Sequence, residues 1–403
     1  MEENMKTGAS GLRGITEEDL ASIMDELALV PEGMAASFES EGISKLETEV
    51  ILGEGRDVKF PLLLSHPFFV NPGEMVSANR SVRVAVAYGA STAKVPFYAG
   101  EGLVPEEKKI VKKFEGAVIL PWSPFRVGVD SQEIAQAKAV SIDLTGGSLR
   151  SIYSVAHLMG KARGEEGLIS ARALGPKHHL DMESEKDLSG HVELLREVTG
   201  HKIPVLVKIP ASRVFESTKT AIKSGADAVI IDTSENPFTR PSPITGNYGA
   251  TLLGAIPPAV KALKAESGRK KGVKLLVSGG FRNGADIVKA LALGADAAGI
   301  NEAALVALGC VLCGECHLGA CEKGIATRDK ELRARFSWKD AGSQLANFLY
   351  ATKKEIEMLA DFVGVGRIKD LKADQLAALT YDTAAITGVK LIGYDKELPM
   401  WFH

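Results

Sequence analysis

All four cysteines of the sequence fall within one short stretch, Cys310-Val311-Leu312-Cys313-Gly314-Glu315-Cys316-His317-Leu318-Gly319-Ala320-Cys321. Thiolates separated by two, two and four residues come within reach of one inorganic cluster, with Gly314 and Gly319 relaxing the loop. Zinc is the rival ligand, because tetrahedral thiolate sites use similar spacings and His317 could join them. No cysteine remains elsewhere to close a long loop, which argues against a disulfide framework. A second chemistry is carried by glycines. Val277-Ser278-Gly279-Gly280-Phe281-Arg282-Asn283-Gly284 and Gly299-Ile300-Asn301-Glu302 each follow an apolar run and precede a helical stretch. Such turns let backbone N–H groups approach a phosphate closely, a helix N-terminus adds partial positive charge, and Arg282 could add a charge-assisted contact. The third candidate is Lys208, which closes the otherwise apolar run Val205-Leu206-Val207-Lys208-Ile209. An ammonium there is costly to desolvate unless it faces an anion or an electron-rich group. Weaker signals are Glu101 within Gly100-Glu101-Gly102, His66, and the adjacent pair His178 and His179, of which at most one can point into a site.

These residues must be positioned by something, and the chain supplies a regular alternation from about Val58 onward. Eight apolar runs ending in Gly, Ser, Asp or Pro alternate with amphipathic stretches: Phe60 to Val70, Lys94 to Ala99, Ala117 to Trp122, Ala139 to Leu144, Pro204 to Ile209, Ala228 to Asp232, Lys274 to Val277 and Ala297 to Ile300. Several are apolar on both faces, as strands between a filled interior and an outer helical layer should be. Eight such units favour an α/β fold of the (β/α)8 TIM-barrel type over a doubly wound sheet, with the site at the C-terminal ends of the strands and the two glycine turns after strands seven and eight. Helices are expected at Val214 to Lys223, Leu252 to Ala265 and Ala285 to Leu293, with Gly225, Gly268 and Gly294 as C-caps. Residues 1–57 read as an N-terminal extension with a helical stretch from Glu17 to Ala28, and 58–309 as the barrel. The cysteine segment is 310–336, and 337–403 reads as closing helices: a long one from Ser337 to Gly364 and a helical pair from Leu371 to Ile386.

Composition bounds the function. With 403 residues, 45% hydrophobic and 25% charged, the chain can bury a large core, which excludes disordered and fibrous classes. A formal net charge of −3 offers no basic excess for a phosphate backbone, so nucleic acid is not an expected partner. The longest apolar stretch, around Ala303 to Leu312, is too short to span a bilayer, and Met1-Glu2-Glu3-Asn4 leads into no apolar leader, so a cytoplasmic location is expected.

The segment Gly299 to Phe336, with Ala303-Ala304-Leu305-Val306-Ala307-Leu308-Gly309-Cys310, Cys316-His317, Cys321, Gly324-Ile325-Ala326-Thr327 and Arg335-Phe336, resembles the flavin and iron–sulfur domain of glutamate synthase. The likeness extends back through Ser278-Gly279-Gly280, Lys208, Gly100-Glu101-Gly102 and Ser65, and forward through the helical region from Ser337. It implies an FMN-dependent barrel in which electrons pass through a [3Fe-4S] cluster to the flavin, which reduces an imine formed from 2-oxoglutarate and ammonia. On this reading Cys310, Cys316 and Cys321 hold the cluster, and Cys313, an added thiol, makes a [4Fe-4S] cluster possible. Ser65, Lys208, Ser278, Gly279, Gly280, Arg282, Gly299 and Asn301 would bind FMN, and Lys208 and Glu101 would be catalytic. Ferredoxin or a reductase subunit would donate electrons. With no cysteine nucleophile before Cys310, glutamine-derived ammonia would come from a separate glutaminase. The departures concentrate where the family holds its oxoacid: Ser278 replaces an Asp, Thr145-Gly146-Gly147-Ser148 replaces a Gln-Gly-Ala-Lys-Pro-Gly segment, and the loop Asp232 to Pro243 replaces a glycine-rich one. That loop carries Arg240, suited to pair bidentately with a substrate carboxylate, while Glu302 stands near the phosphate position where a neutral residue is usual. Two other readings compete, an electron-transfer or structural subunit of a larger complex and a zinc-bearing barrel acting on a phosphorylated substrate.

Overall fold

The eight expected runs each contribute a strand to one barrel. In the computed structural model, which describes residues 22–31, 46–72, 79–100, 103–122, 129–145, 179, 181–233, 249–313, 321–327 and 329–394, the strands are β1 (Leu27–Leu29), β2 (Val50–Leu52), β3 (Leu62–Leu64), β4 (Phe68–Val70), β5 (Phe97–Tyr98), β6 (Val118–Trp122), β7 (Ala139–Asp143), β8 (Val205–Pro210), β9 (Ala228–Asp232), β10 (Lys274–Ser278), β11 (Ala297–Ile300) and β12 (Leu376–Ala378). β4 to β11 follow one another around a closed parallel barrel, with β11 pairing back to β4. Their burial explains the continuous apolar runs: every residue of β7 and of β11 is buried, against outer helices on one side and the filled interior on the other.

The interior is sealed at one end. β2 and β3 form an antiparallel hairpin whose Val50, Leu52, Leu62 and Leu64 join Phe69, Ile119, Leu206, Leu276 and the small Ala139, Ala228 and Ala297 in one buried cluster. The alanines begin their strands, so the hairpin closes the N-terminal end of the barrel and only the opposite end is left for chemistry. This corrects the reading of Phe60 to Val70 as one strand. The run breaks at Ser65-His66-Pro67, where proline cannot donate to a ladder, so β3 belongs to the plug and only β4 enters the barrel.

Helices Val214–Lys223, Leu252–Ala265 and Gly284–Ala292 stand where periodicity puts them. Gly225 and Gly294 take the left-handed conformation at their ends, at φ +94° and +111°. After Leu252–Ala265 it is Ser267 that turns left-handed, whereas Gly268 is needed for space, since a Cβ there would lie 2.7 Å from Leu263 Cδ2. The long helix Trp338–Val363 is capped by Ser337 and by Gly364 at φ +91°. It crosses Arg80–Thr92 so closely that a Cβ on Gly342 would lie 2.8 Å from the Ala85 carbonyl. Two helical expectations fail. The described part of Glu17 to Ala28 is a 3-10 turn, Ile23–Glu26, followed by β1, and Leu371 to Ile386 contains β12 before its one α-helix, Tyr381–Thr387. The cause is mutual: β1 and β12 pair antiparallel, Leu27 opposite Ala378 and Leu29 opposite Leu376, and this tertiary partnership overrides local helical periodicity. No helix among the described residues is long and apolar enough to cross a membrane.

Candidate active site at the barrel mouth

Parallel register brings the polar strand ends together. Asp143 sits beside Lys208, and Ser278 lies between Asp232 and Gly299. Lys208, only 4% exposed, extends its ammonium to Asp232 Oδ2 at 2.7 Å and Asp143 Oδ2 at 3.3 Å, and lies over the Tyr98 ring at 5.2 Å. An ammonium buried this deeply requires such partners. Asp143 is held in turn: Thr145 donates to its Oδ1 from the backbone N–H at 3.0 Å and from the hydroxyl at 2.5 Å, and the Tyr98 hydroxyl donates to Oδ2 at 3.4 Å. Burial, reinforced by the Asp143 carboxylate, pushes the Tyr98 phenol well above its ordinary range, so Tyr98 keeps its proton as a donor. His179 also reaches this end, its Nε2 2.9 Å from the Asp143 carbonyl. Asn71, immediately after β4, donates from Nδ2 to Ser278 Oγ at 2.7 Å, tying the first barrel strand to the seventh.

The first glycine turn is built against Ser278. Gly279 and Gly280 are both left-handed, at φ +97° and +81°. Gly279 N–H donates to the Gly299 carbonyl at 3.1 Å, and Thr233 Oγ1 donates to the carbonyls of Ser278 and Gly279 at 2.9 and 3.0 Å. Gly280 N–H is directed instead to the Glu302 carboxylate, with Oε2 at 3.3 Å. This donor accepts an anion, which is the polarity a phosphate group requires. Gly299 answers a packing need, because a Cβ there would fall within 3 Å of Ser278 Oγ and Phe69 Cζ. Asn301 is buried and precedes the short helix Glu302–Ala307.

Of the residues singled out in the sequence, Lys208, Ser278, Gly279, Gly280, Gly299 and Asn301 therefore meet at one end of the barrel. Ser65 does not. It precedes β4 at the plugged end, where its carbonyl accepts from Thr48 at 2.6 Å, because the strand begins later than the apolar run suggests. The Arg282 guanidinium is committed to two carboxylates, Nε to Asp286 Oδ2 at 2.9 Å and Nη1 to Asp25 Oδ2 at 2.8 Å. It thereby fastens the N-terminal extension to the barrel. His66 lies at the same end as Ser65, 3.0 Å from Glu357. Cys310 and Cys321 are half-buried against the core, with Leu312 N–H donating to Cys310 Sγ at 3.4 Å, and Cys313 is exposed. Glu101, His178, Arg240 and Cys316 lie outside the described residues. No group of three potential metal-ligating side chains occurs among the described residues.

Three participants escaped the sequence reading. Tyr98 and Asp143 fall inside the apolar runs Lys94 to Ala99 and Ala139 to Leu144, and Asn71 directly follows the run that ends at Val70; their signal is a polar side chain at the last position of a strand or just after it.

Residues 56–366 match the family described as a conserved region in glutamate synthase. The chain is 29% identical to a glutamate synthase large subunit-like protein of Rhizobium meliloti, over 96% of this chain and 91% of that protein. It is 30% identical to an archaeal-type glutamate synthase [NADPH] of Thermotoga sp., covering 91% of this chain and 70% of that one. To an archaeal glutamate synthase [NADPH] of Archaeoglobus fulgidus it is 33% identical, over 72% of this chain and 57% of that protein. Among solved structures, flavocytochrome b2 with benzoylformate superposes with a TM-score of 0.56 at 17% identity, over 94% of this chain and 82% of that one. A soluble mutant of the membrane-associated (S)-mandelate dehydrogenase from Pseudomonas putida gives 0.54 at 18% identity, over 88% of each. These last two speak for the shared barrel fold. With its matched region spanning β3, the whole barrel and the cysteine segment, the chain belongs to the glutamate synthase family.

Proposed function

We propose that this protein is an FMN- and iron–sulfur-dependent oxidoreductase of the glutamate synthase type, acting on CH–NH2 groups by reducing an imine of 2-oxoglutarate or a related oxoacid. The observation that carries the reading is Lys208, a deeply buried ammonium at the open end of a barrel in a chain of this family. The mouth offers what FMN needs in kind: a left-handed glycine turn with an N–H directed at an anion, beside a fixed cation. When bound, FMN would supply hydride transfer to an electrophilic carbon. The chain's own part is electrostatic and steric. Asp143 and Asp232 hold the Lys208 ammonium in one place, Tyr98 retains its proton beside them, and the β2–β3 plug keeps water from entering behind the site. Gly279, Gly280 and the Gly299 to Asn301 turn are assigned to the phosphate side, Glu101 to catalysis and Arg240 to the substrate carboxylate.

The cluster is assigned to Cys310, Cys316 and Cys321, with Cys313 deciding between three and four irons. Two of these thiols stand half-buried where an apolar shell would shield a cluster, and the Leu312 N–H on Cys310 Sγ is the kind of contact that stabilises a ligating thiolate. The segment 310–336 then acts as the electron entrance to the barrel, fed by ferredoxin or a reductase subunit.

The test is an absorption spectrum of anaerobically purified protein, followed by 2-oxoglutarate and ammonia, then other oxoacids and amines, added to the reduced enzyme. Flavin bands over a broad cluster shoulder, with flavin reoxidation by at least one such pair, are expected. A colourless protein would overturn the cofactor assignment. Loaded, reduced protein that no oxoacid reoxidises would overturn the synthase reading in favour of an electron-transfer subunit.

A further inference from the structure

The anion that Gly280 N–H faces is the chain's own. Gly279 N–H is already engaged by the Gly299 carbonyl, and Thr233 closes the carbonyls of Ser278 and Gly279. Glu302 Oε2 accepts from the next N–H, that of Gly280, at 3.3 Å. The other carboxylate oxygen, Oε1, is buried too, so the group is seated in the turn and is not waving in solvent. One carboxylate thus occupies the backbone donor that a phosphate would use.

We propose that Glu302 is a resident competitor for the phosphate seat: a phosphorylated flavin gains the Gly280 N–H only by displacing the Glu302 carboxylate, so this residue sets how strongly the site prefers FMN to riboflavin. The inference rests on the FMN reading above. Its physical basis is that two anions within a few ångströms in a poorly solvated turn repel strongly, so carboxylate and phosphate cannot share one donor. The displaced side chain must swing away, and the cost of that movement is carried by every phosphorylated ligand and by no unphosphorylated one.

The experiment uses the full-length apoprotein. FMN and riboflavin are titrated separately by quenching of flavin fluorescence into wild type, Glu302→Gln and Glu302→Ala, with circular dichroism confirming that each is folded. Glu302→Gln removes the charge and keeps an acceptor for Gly280, whereas Glu302→Ala removes both. FMN should bind about tenfold more tightly to either variant, equivalent to about 1.4 kcal/mol, while riboflavin changes less than about twofold. An FMN Kd that is unchanged or weaker in both variants overturns the proposal. So does equal tightening of riboflavin, which would mean that the substitutions only enlarge the cavity. Binding of neither flavin to any of the three proteins would bring down the FMN reading, and this proposal with it.

Discussion

Removing the carboxylate of Asp227 should be among the most damaging single changes outside the mouth. Asp227 is fully buried just before β9, at the plugged end, and accepts from Arg56 Nε and Arg196 Nη2, both at 2.9 Å, and from Val205 N–H at 2.8 Å. It therefore joins the turn after β2, the helix Glu185–Thr199 and the start of β8. In Asp227→Ala two largely buried guanidinium groups lose their counter-ion, a change that costs about 3–5 kcal/mol when one partner of a buried pair is deleted. The lower half of that range applies to the ion pairs, because Arg56 keeps the Gly225, Ala226 and Lys271 carbonyls and Arg196 keeps Gly225. The orphaned Val205 N–H adds about 1–3 kcal/mol, and since these losses share one site they are not fully additive. The expected total is about 4 kcal/mol. Asp227→Asn, which keeps an acceptor without the charge, should cost about half as much. The measurement is the urea midpoint multiplied by the slope of the transition, with wild type and both variants run in parallel. A loss below about 1 kcal/mol for Asp227→Ala would refute the argument, since surface-like substitutions cost that little.

Gly342→Ala should destabilise by about 1–3 kcal/mol in the same assay, because the new Cβ meets the Ala85 carbonyl oxygen at 2.8 Å and one helix must move; a neutral result would mean that the crossing is looser than described. His66 is held below its ordinary value of 6.5, chiefly by burial. The unfolded chain then binds the extra proton first, so stability is complete above pH 6.5 and falls as the pH drops toward the lower folded value; His66→Gln should flatten that slope, and an unchanged slope would exclude His66 as its source. Lys208→Met should lower the flavin midpoint potential by about 30 mV or more, the two-electron equivalent of a tenfold change, through loss of the cation beside reduced flavin; an unchanged potential would show that Lys208 does not face the ring. Electron paramagnetic resonance of wild type and Cys313→Ala should differ if Cys313 completes a fourth iron's coordination, and identical three-iron signals would remove it from the ligand set.

The barrel was legible because its strands are buried on both faces, so each appears as an unbroken apolar run, and because the mouth falls at the polar residue that ends it. Lys208 and the Ser278-Gly279-Gly280 turn stood out for that reason. What periodicity cannot carry is a change of partner. Phe60 to Val70 reads as a single run, yet half of it pairs with β2, and only the proline after His66 marks the boundary. Likewise Leu27 to Leu29 is a strand only because residues near the other end of the chain provide an edge for it. Asp143 was concealed because a single acid at the end of an apolar run resembles the strand stops that recur throughout the sequence; its significance comes from register with Lys208.

The pairing of β1 with β12 has a temporal consequence. Roughly 350 residues separate the two strands, and Arg282, contributed much later than Asp25, clamps the same N-terminal stretch to the barrel. While the polypeptide is being synthesised, Leu27 to Leu29 is made before the whole barrel and has no edge to join until Leu376 to Ala378 has followed. Until then a short apolar edge is open to the wrong neighbour.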